Sequence, residues 1–268
     1  MVRQCSLLWE FNNGNSGSGY LFGSIHINTE FVHSLLASLE PYIKGVDIVA
    51  TEIHLDEVHQ NLNPKYFSLP SGNSYQDYWS FSKIKKYELL IQKSLGFSLQ
   101  DHCHLNPIIL LNLLSLKITQ SNLESSNFDE LIWDYSKGIG KEMSGLEDIN
   151  YHFDHLLKMT ILEQFKMLDK ALRNIKLWRR QLTKLLELYN LQETPKIYQS
   201  TKRRLGKLRK PFLYERNQTM VNALDDLLKR GSVFASVGAS HFDGQFGMLK
   251  LLKDKNYKLR PVILKHSV

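Results

Sequence analysis

Short runs rich in β-branched and aromatic residues lie toward the two ends of this chain, and long helical periodicities fill its middle. Near the start, residues 6–11 and 20–22 are apolar runs separated by the Asn-, Ser- and Gly-rich stretch 12–19, which predicts a β-hairpin with a generous loop. Residues 30–43 repeat Phe31, Leu35, Leu36 and Leu39 at helical spacing. Residues 46–52 are short and β-branched, as a buried strand should be. At the other end, 233–237 and 258–264 read as strands, with helices over 211–229 and 246–253. Between residues 75 and 190 the patterns are helical at 84–95, 107–118, 128–137 and 152–191, and 141–146 offers the one strand pattern. Strands from both ends must share a sheet to bury their apolar faces. The expected fold is therefore α/β: a central mixed β-sheet built from both chain ends and flanked by helices. The expected organisation is a single domain, 1–268, with a mostly helical insertion at 75–210.

Composition narrows the function classes without naming one. With 268 residues and 43% hydrophobic content, the chain can bury a full core. A formal net charge of +7 favours anionic partners in general. Cys5 and Cys103 are too few for a disulfide framework or a thiolate zinc cage. No stretch has the apolar length to span a bilayer. Arg3 is followed by Glu10 before any apolar signal region develops, so a cytoplasmic location is expected.

Three strand ends carry side chains able to do chemistry. Gly23-Ser24-Ile25-His26 and Gly238-Ala239-Ser240-His241 each follow a predicted strand, and Glu52 closes a third. In α/β sheets the carboxyl edge of the strands is where ligands bind. Imidazole and carboxylate there suit a divalent metal or general acid–base work. The same residues also read as hydrogen-bonded strand-end groups, and the two readings stand level on the residues alone. Arg216 could hold a substrate anion or stabilise a developing oxyanion, or make a surface salt bridge. Glu147 reads as a solvated loop acid, with orienting a histidine as its other task. His152 and His155 read as helix-surface histidines, because the glutamate of a zincin motif is missing. The run from Lys202 to Lys210 reads as a solvated basic face away from the site, with few aromatics interleaved for stacking bases. No Gly-x-Ser-x-Gly elbow occurs.

The residues Trp9-Glu10, Gly19 to His26 and Asp47 to Glu52 resemble the opening of the TraB/GumN/Tiki family. Gly145-Leu146-Glu147 resembles its central element. Glu215 to Met220, Gly231 to His241, Gly244, Gly247-Met248-Leu249 and Tyr257 to Val262 resemble its closing pattern. The resemblance implies a site of His26, His241, Glu52 and Arg216, all catalytic, with His26, His241 and Glu52 holding a divalent metal (manganese, cobalt or zinc). Tiki members are described as metal-dependent proteases, and the superfamily is similar to erythromycin esterases and ChaN-like haem-binding proteins. The function expected is a metal-dependent, peptidase-like hydrolase acting on a peptide or a small ester or amide. Two alternatives stay open. One is a non-catalytic module binding metal, haem or peptide, of the ChaN-like or pheromone-shutdown type. The other is a basic protein of nucleic-acid or membrane surfaces. Nucleic acid is not the partner expected here, and the sequence leaves the oligomeric state open.

Overall fold

The computed structural model describes residues 5–14, 17–27, 30–61, 63–70, 72–119 and 127–264. Residues 1–4, at the chain start, and 15–16, in the hairpin loop, lie outside the described residues. The chain divides into two units, one of Met1–Asn61, Ser125–His152 and Leu185–Val268, the other of Leu62–Glu124 and Phe153–Lys184.

The first unit is built on a six-stranded sheet with strands β1 (Leu8–Asn12), β2 (Ser18–Ser24), β3 (Ile48–Ile53), β4 (Glu142–Glu147), β5 (Val233–Gly238) and β6 (Lys258–Val262), in the order β4-β3-β5-β2-β1-β6. β1 runs antiparallel to β2 and β6, with Leu8 opposite both Phe22 and Val262. The other pairings are parallel: Ser24 lies beside Gly238, Ile48 beside Val233, and Ile53 beside Glu147. So β4, β3, β5 and β2 all point their carboxyl ends to one edge. This is the mixed α/β sheet expected, with β4 supplied from the middle of the chain.

The helices are α1 (Glu30–Lys44), α2 (Leu55–Asn61), α3 (Phe81–Leu95), α4 (Pro107–Thr119), α5 (Phe128–Gly138), α6 (Ile149–Leu157), α7 (Ile161–Arg173), α8 (Ile175–Asn190), α9 (Thr194–Leu205), α10 (Arg216–Leu227) and α11 (Met248–Asp254). None among the described residues is long and apolar enough to cross a membrane. β3 and β5 are buried along nearly their whole length, as central parallel strands are. Their Ile48, Ala50, Ala235 and Val237 join Met220, Val221 and Leu224 of α10 and Leu249 and Leu252 of α11 in one core. Truncating a fully buried leucine such as Leu224 costs roughly 2–5 kcal/mol. That core fixes the position of α10, and with it Arg216 and Asn217.

In the second unit, Tyr75, Trp79 and Phe165 pack edge to face, with centroids 4.9 to 5.6 Å apart. Tyr87 donates to Asp169 at 2.7 Å, and Lys83 pairs with the same carboxylate oxygen at 2.6 Å.

Two differences from the sequence reading have clear causes. The helix expected over 152–191 is three helices. Thr160 caps α7, its hydroxyl accepting from the Glu163 N–H at 3.3 Å while Glu163 accepts from the Thr160 N–H at 2.9 Å. Asn174 ends α7 and accepts the Leu177 N–H at 3.0 Å, starting α8. Helix α9 is unanticipated because its apolar face is narrow: Ile197 and Tyr198 are buried, and Lys202, Arg203 and Arg204 dominate its last turn.

Candidate functional site

The parallel strands bring His26, Glu52 and His241 to the same edge of the sheet. Glu52 is the penultimate residue of β3, His26 follows β2 by two residues, and His241 lies in the 3-10 turn Ala239–His241 that follows β5. Their surroundings differ sharply. His241 is 4% exposed, whereas the His26 side chain is 66% exposed.

Glu52 is anchored at both oxygens. Oε1 accepts the Gly238 N–H at 2.7 Å, and Oε2 accepts from Arg216 Nη2 at 2.5 Å. Gly238 permits this approach, since a Cβ there would lie 3.2 Å from Oε1. The other wall of the anchor is Glu147, at the end of β4, whose Oε2 accepts from Arg216 Nη2 at 2.6 Å and from Nε at 2.9 Å. His152 Nδ1 lies 2.9 Å from Nη2 and 3.2 Å from Glu147 Oε2, beside the ion pair. Glu52, Glu147 and His152 offer ligand-type atoms all within 4.8 Å of one another. The cation they surround is the guanidinium of Arg216. Burial would push the Glu52 carboxyl up, but Arg216, followed by His241 and His26, holds it well below the usual range. Burial opposes the charge on Arg216 as well, and the two glutamates raise its pKa above the ordinary value.

Both candidate histidines are held through Nδ1. His241 Nδ1 lies 2.5 Å from Asn217 Oδ1. The same amide donates through Nδ2 to the carbonyls of Phe246 at 2.6 Å and His241 at 3.3 Å, which fixes which end is oxygen. Nδ1 of His241 therefore carries the proton, and Nε2 presents a lone pair 3.8 Å from Glu52 Oε1. Burial, against the pull of Glu52, lowers the His241 pKa to about 4, so the ring is neutral near pH 7. His26 Nδ1 pairs with Asp129 Oδ2 at 2.7 Å, and Ser236 donates to the other carboxylate oxygen at 3.4 Å. Asp129 raises the His26 pKa above its usual value, and the exposure of the ring lets solvent screen part of that attraction. Behind these groups Tyr189 of α8 donates to the Gly23 carbonyl at 2.8 Å, holding the end of β2.

Several sequence expectations are corrected here. Glu147 is a buried ion-pair partner at a strand end, 5% exposed, and not a solvated loop acid. His155 is buried, and His152 is half-buried against Arg216 and Glu147; neither is a plain helix-surface residue. The run from Lys202 to Lys210 is largely exposed as expected, but it belongs to the sheet-bearing unit, where α9 packs on the turn that carries His241. Asp129 and Asn217 were not anticipated. The one signal available for Asn217 was its place beside Arg216.

A family model described as the TraB/PrgY/gumN family matches residues 7–261, nearly the whole chain. The chain belongs to the TraB/PrgY/gumN family. No curated protein and no solved structure matches it. In this TraB/PrgY/gumN family member, the matched span contains every residue of the site just described.

Proposed function

We propose that this protein is a metal-dependent hydrolase of peptide or small ester or amide bonds, working at the carboxyl edge of its sheet through His26, Glu52 and His241. The observation that carries the reading is the shared orientation of the two imidazoles. Nδ1 of His241 is hydrogen-bonded to Asn217 Oδ1, and Nδ1 of His26 pairs by charge with Asp129 Oδ2 at 2.7 Å, so both rings turn Nε2 away from these oxygens. Histidines that ligate metals are held in this way, the second ring nitrogen bound to a carboxylate, carbonyl or water.

Of the expected ligands, His241 and Glu52 stand within one ion's reach, whereas the three-residue cluster of ligand-type side chains among the described residues is Glu52, Glu147 and His152, without His26. The Glu52 carboxylate and the neutral His241 imidazole suit manganese, cobalt or zinc, while His26, its pKa raised by Asp129 to about 9, would ligate only on giving up its Nε2 proton. The 3.8 Å between His241 Nε2 and Glu52 Oε1 is within what two bonds of about 2.1 Å to a single ion can span. Bound there, the ion would polarise the scissile carbonyl or acidify a water. The protein's own groups do the rest. Asn217 holds His241 in the tautomer whose Nε2 is basic. Arg216 keeps Glu52 ionised and immobile, and with its donors turned to two carboxylates it is a positioning residue here. Glu52 would serve either as a ligand of the ion through Oε1 or as the base that takes a proton from the attacking nucleophile.

The test is His241→Ala assayed on a panel of peptides and esters with added manganese, cobalt or zinc. Loss of turnover by a hundredfold or more is expected in protein that still folds cooperatively, less stable by about 1–3 kcal/mol because Asn217 Oδ1 is left without its donor. An active variant, or a wild type that turns over nothing under any of the metals, would favour a binding module instead.

A further inference from the structure

The basic run that the hydrolase reading leaves unused lines a cleft of about 590 Å³ beside the His241 loop. Its lining includes Tyr198, Lys202 and Arg203 of α9 together with Arg209, Asp243 and Gly244. The size suits a small-molecule site.

Three features distinguish this cleft from an ordinary charged surface. First, Lys202, Arg203 and Arg209 pair with no carboxylate among the described residues; Arg209 donates to the Gly206 carbonyl at 2.8 Å, and Lys202 Nζ lies 5.8 Å from the centre of the Tyr198 ring. Arg216, Lys255 and Arg260 of the same unit are matched, by Glu52 and Glu147, by Asp225 and by Glu10. Lys253 and Lys258 resemble the cleft cations in having no carboxylate partner among the described residues, but they do not line the cleft, and the concavity that Lys258 lines holds Arg260, which Glu10 pairs. Second, three cations face one acid, Asp243, so a positive excess remains inside the concavity. Third, the wall is joined directly to the catalytic loop. Gly244, at φ 94°, lets the Tyr198 ring pack so closely that a Cβ would sit 2.4 Å from it. Gly244 is three residues beyond His241, a reach of at most about 11 Å along the chain.

We propose that this cleft is an oxyanion-binding subsite, taking the carboxylate or phosphate group of a ligand whose remainder extends toward His241. Guanidinium and ammonium groups without internal partners provide the charge-assisted donors that such a group requires. The extension toward His241 rests on the hydrolase reading; the anion site does not.

The test measures binding directly, so it is independent of turnover. Wild-type protein is titrated calorimetrically with inorganic phosphate, and with an acetylated dipeptide whose C-terminus is free or amidated. Two double variants are compared, Lys202→Ala/Arg203→Ala in the cleft and Arg204→Ala/Lys207→Ala outside its lining. Each removes two positive charges from exposed positions, so the overall field falls equally, and thermal melts confirm folding. Saturable binding on the order of 1 mM is expected. The cleft variant should bind at least tenfold more weakly, and the outer variant less than about threefold. Binding of phosphate alone assigns a phosphate ester; discrimination of free from amidated peptide assigns a terminal carboxylate; both support the proposal. Equal weakening in the two variants, or no binding by wild type at ten times that concentration, overturns it. A single-stranded oligonucleotide bound with steep salt dependence and lost equally in both variants also overturns it, in favour of a nucleic-acid face.

Discussion

Replacing Arg216 with methionine should be among the most damaging single changes in the sheet-bearing unit. The guanidinium donates to Glu52 at 2.5 Å and to Glu147 at 2.6, 2.9 and 3.2 Å, and it is 8% exposed. Methionine fills much of the same volume, so the loss is electrostatic: two buried carboxylates are left facing each other without a cation. Removing one partner of a buried ion pair costs about 3–5 kcal/mol. At about 2–4 °C per kcal/mol for a protein near this size, the melting temperature should fall by roughly 6–20 °C. Arg216→Lys keeps the charge but loses the fork, and should fall between the two. Arg216→Met combined with Glu147→Gln should recover part of the loss, because it removes one of the stranded charges. The assay is denaturant unfolding of the four proteins, wild type included, with unchanged m-values confirming two-state comparison. A loss below about 1 kcal/mol for Arg216→Met, or no recovery in the double variant, would show that the buried triad does not form as described.

Asn217→Leu should remove the acceptor of the His241 Nδ1 proton and strand the Phe246 and His241 carbonyls, costing on the order of 3 kcal/mol. Nitrogen-15 NMR of the imidazole should show Nδ1–H in the wild type and the other tautomer in the variant; a wild type protonated at Nε2 would contradict the hydrogen-bond assignment. Away from the site, Asp225 accepts from Tyr257 at 2.7 Å and from Lys255 at 3.0 Å, and these bonds, against burial, lower its pKa. A lowered folded-state pKa stabilises above the unfolded value and is lost as pH falls through the folded value. Asp225→Asn should therefore melt earlier than wild type at pH 7, by about 1 kcal/mol, and the gap should close in acid. An equal gap at both extremes would rule out the ionised carboxylate as its source.

The strand ends were readable because parallel strands buried on both faces are written as nearly continuous apolar runs, so the ionisable group near the end of each run stands out. Glu52, His26 and His241 are such breaks. Their common edge follows from parallel pairing, which the alternation of strand and helix implies but does not state. Partners set by tertiary approach were not readable. Asp129 meets His26 across 103 residues, and Asn217 meets His241 across 24; no local pattern records either approach. His152 was discounted because a zincin spacing was absent, yet it joins the site through Arg216, which no spacing rule covers. The basic run was legible as exposed charge. Its position beside the His241 turn was not, because the narrow apolar face of α9 hid the helix that carries it.

The central claim is that His26, Glu52 and His241 act together on a metal. Its most direct test is calorimetric titration of metal-stripped protein with manganese, cobalt and zinc in turn, for wild type, His241→Ala and Glu52→Gln. The account predicts saturable binding of about one ion per chain by folded wild type, weakened at least a hundredfold in both variants. Folded wild type that binds none of the three ions, or binding that survives both substitutions unchanged, would contradict it.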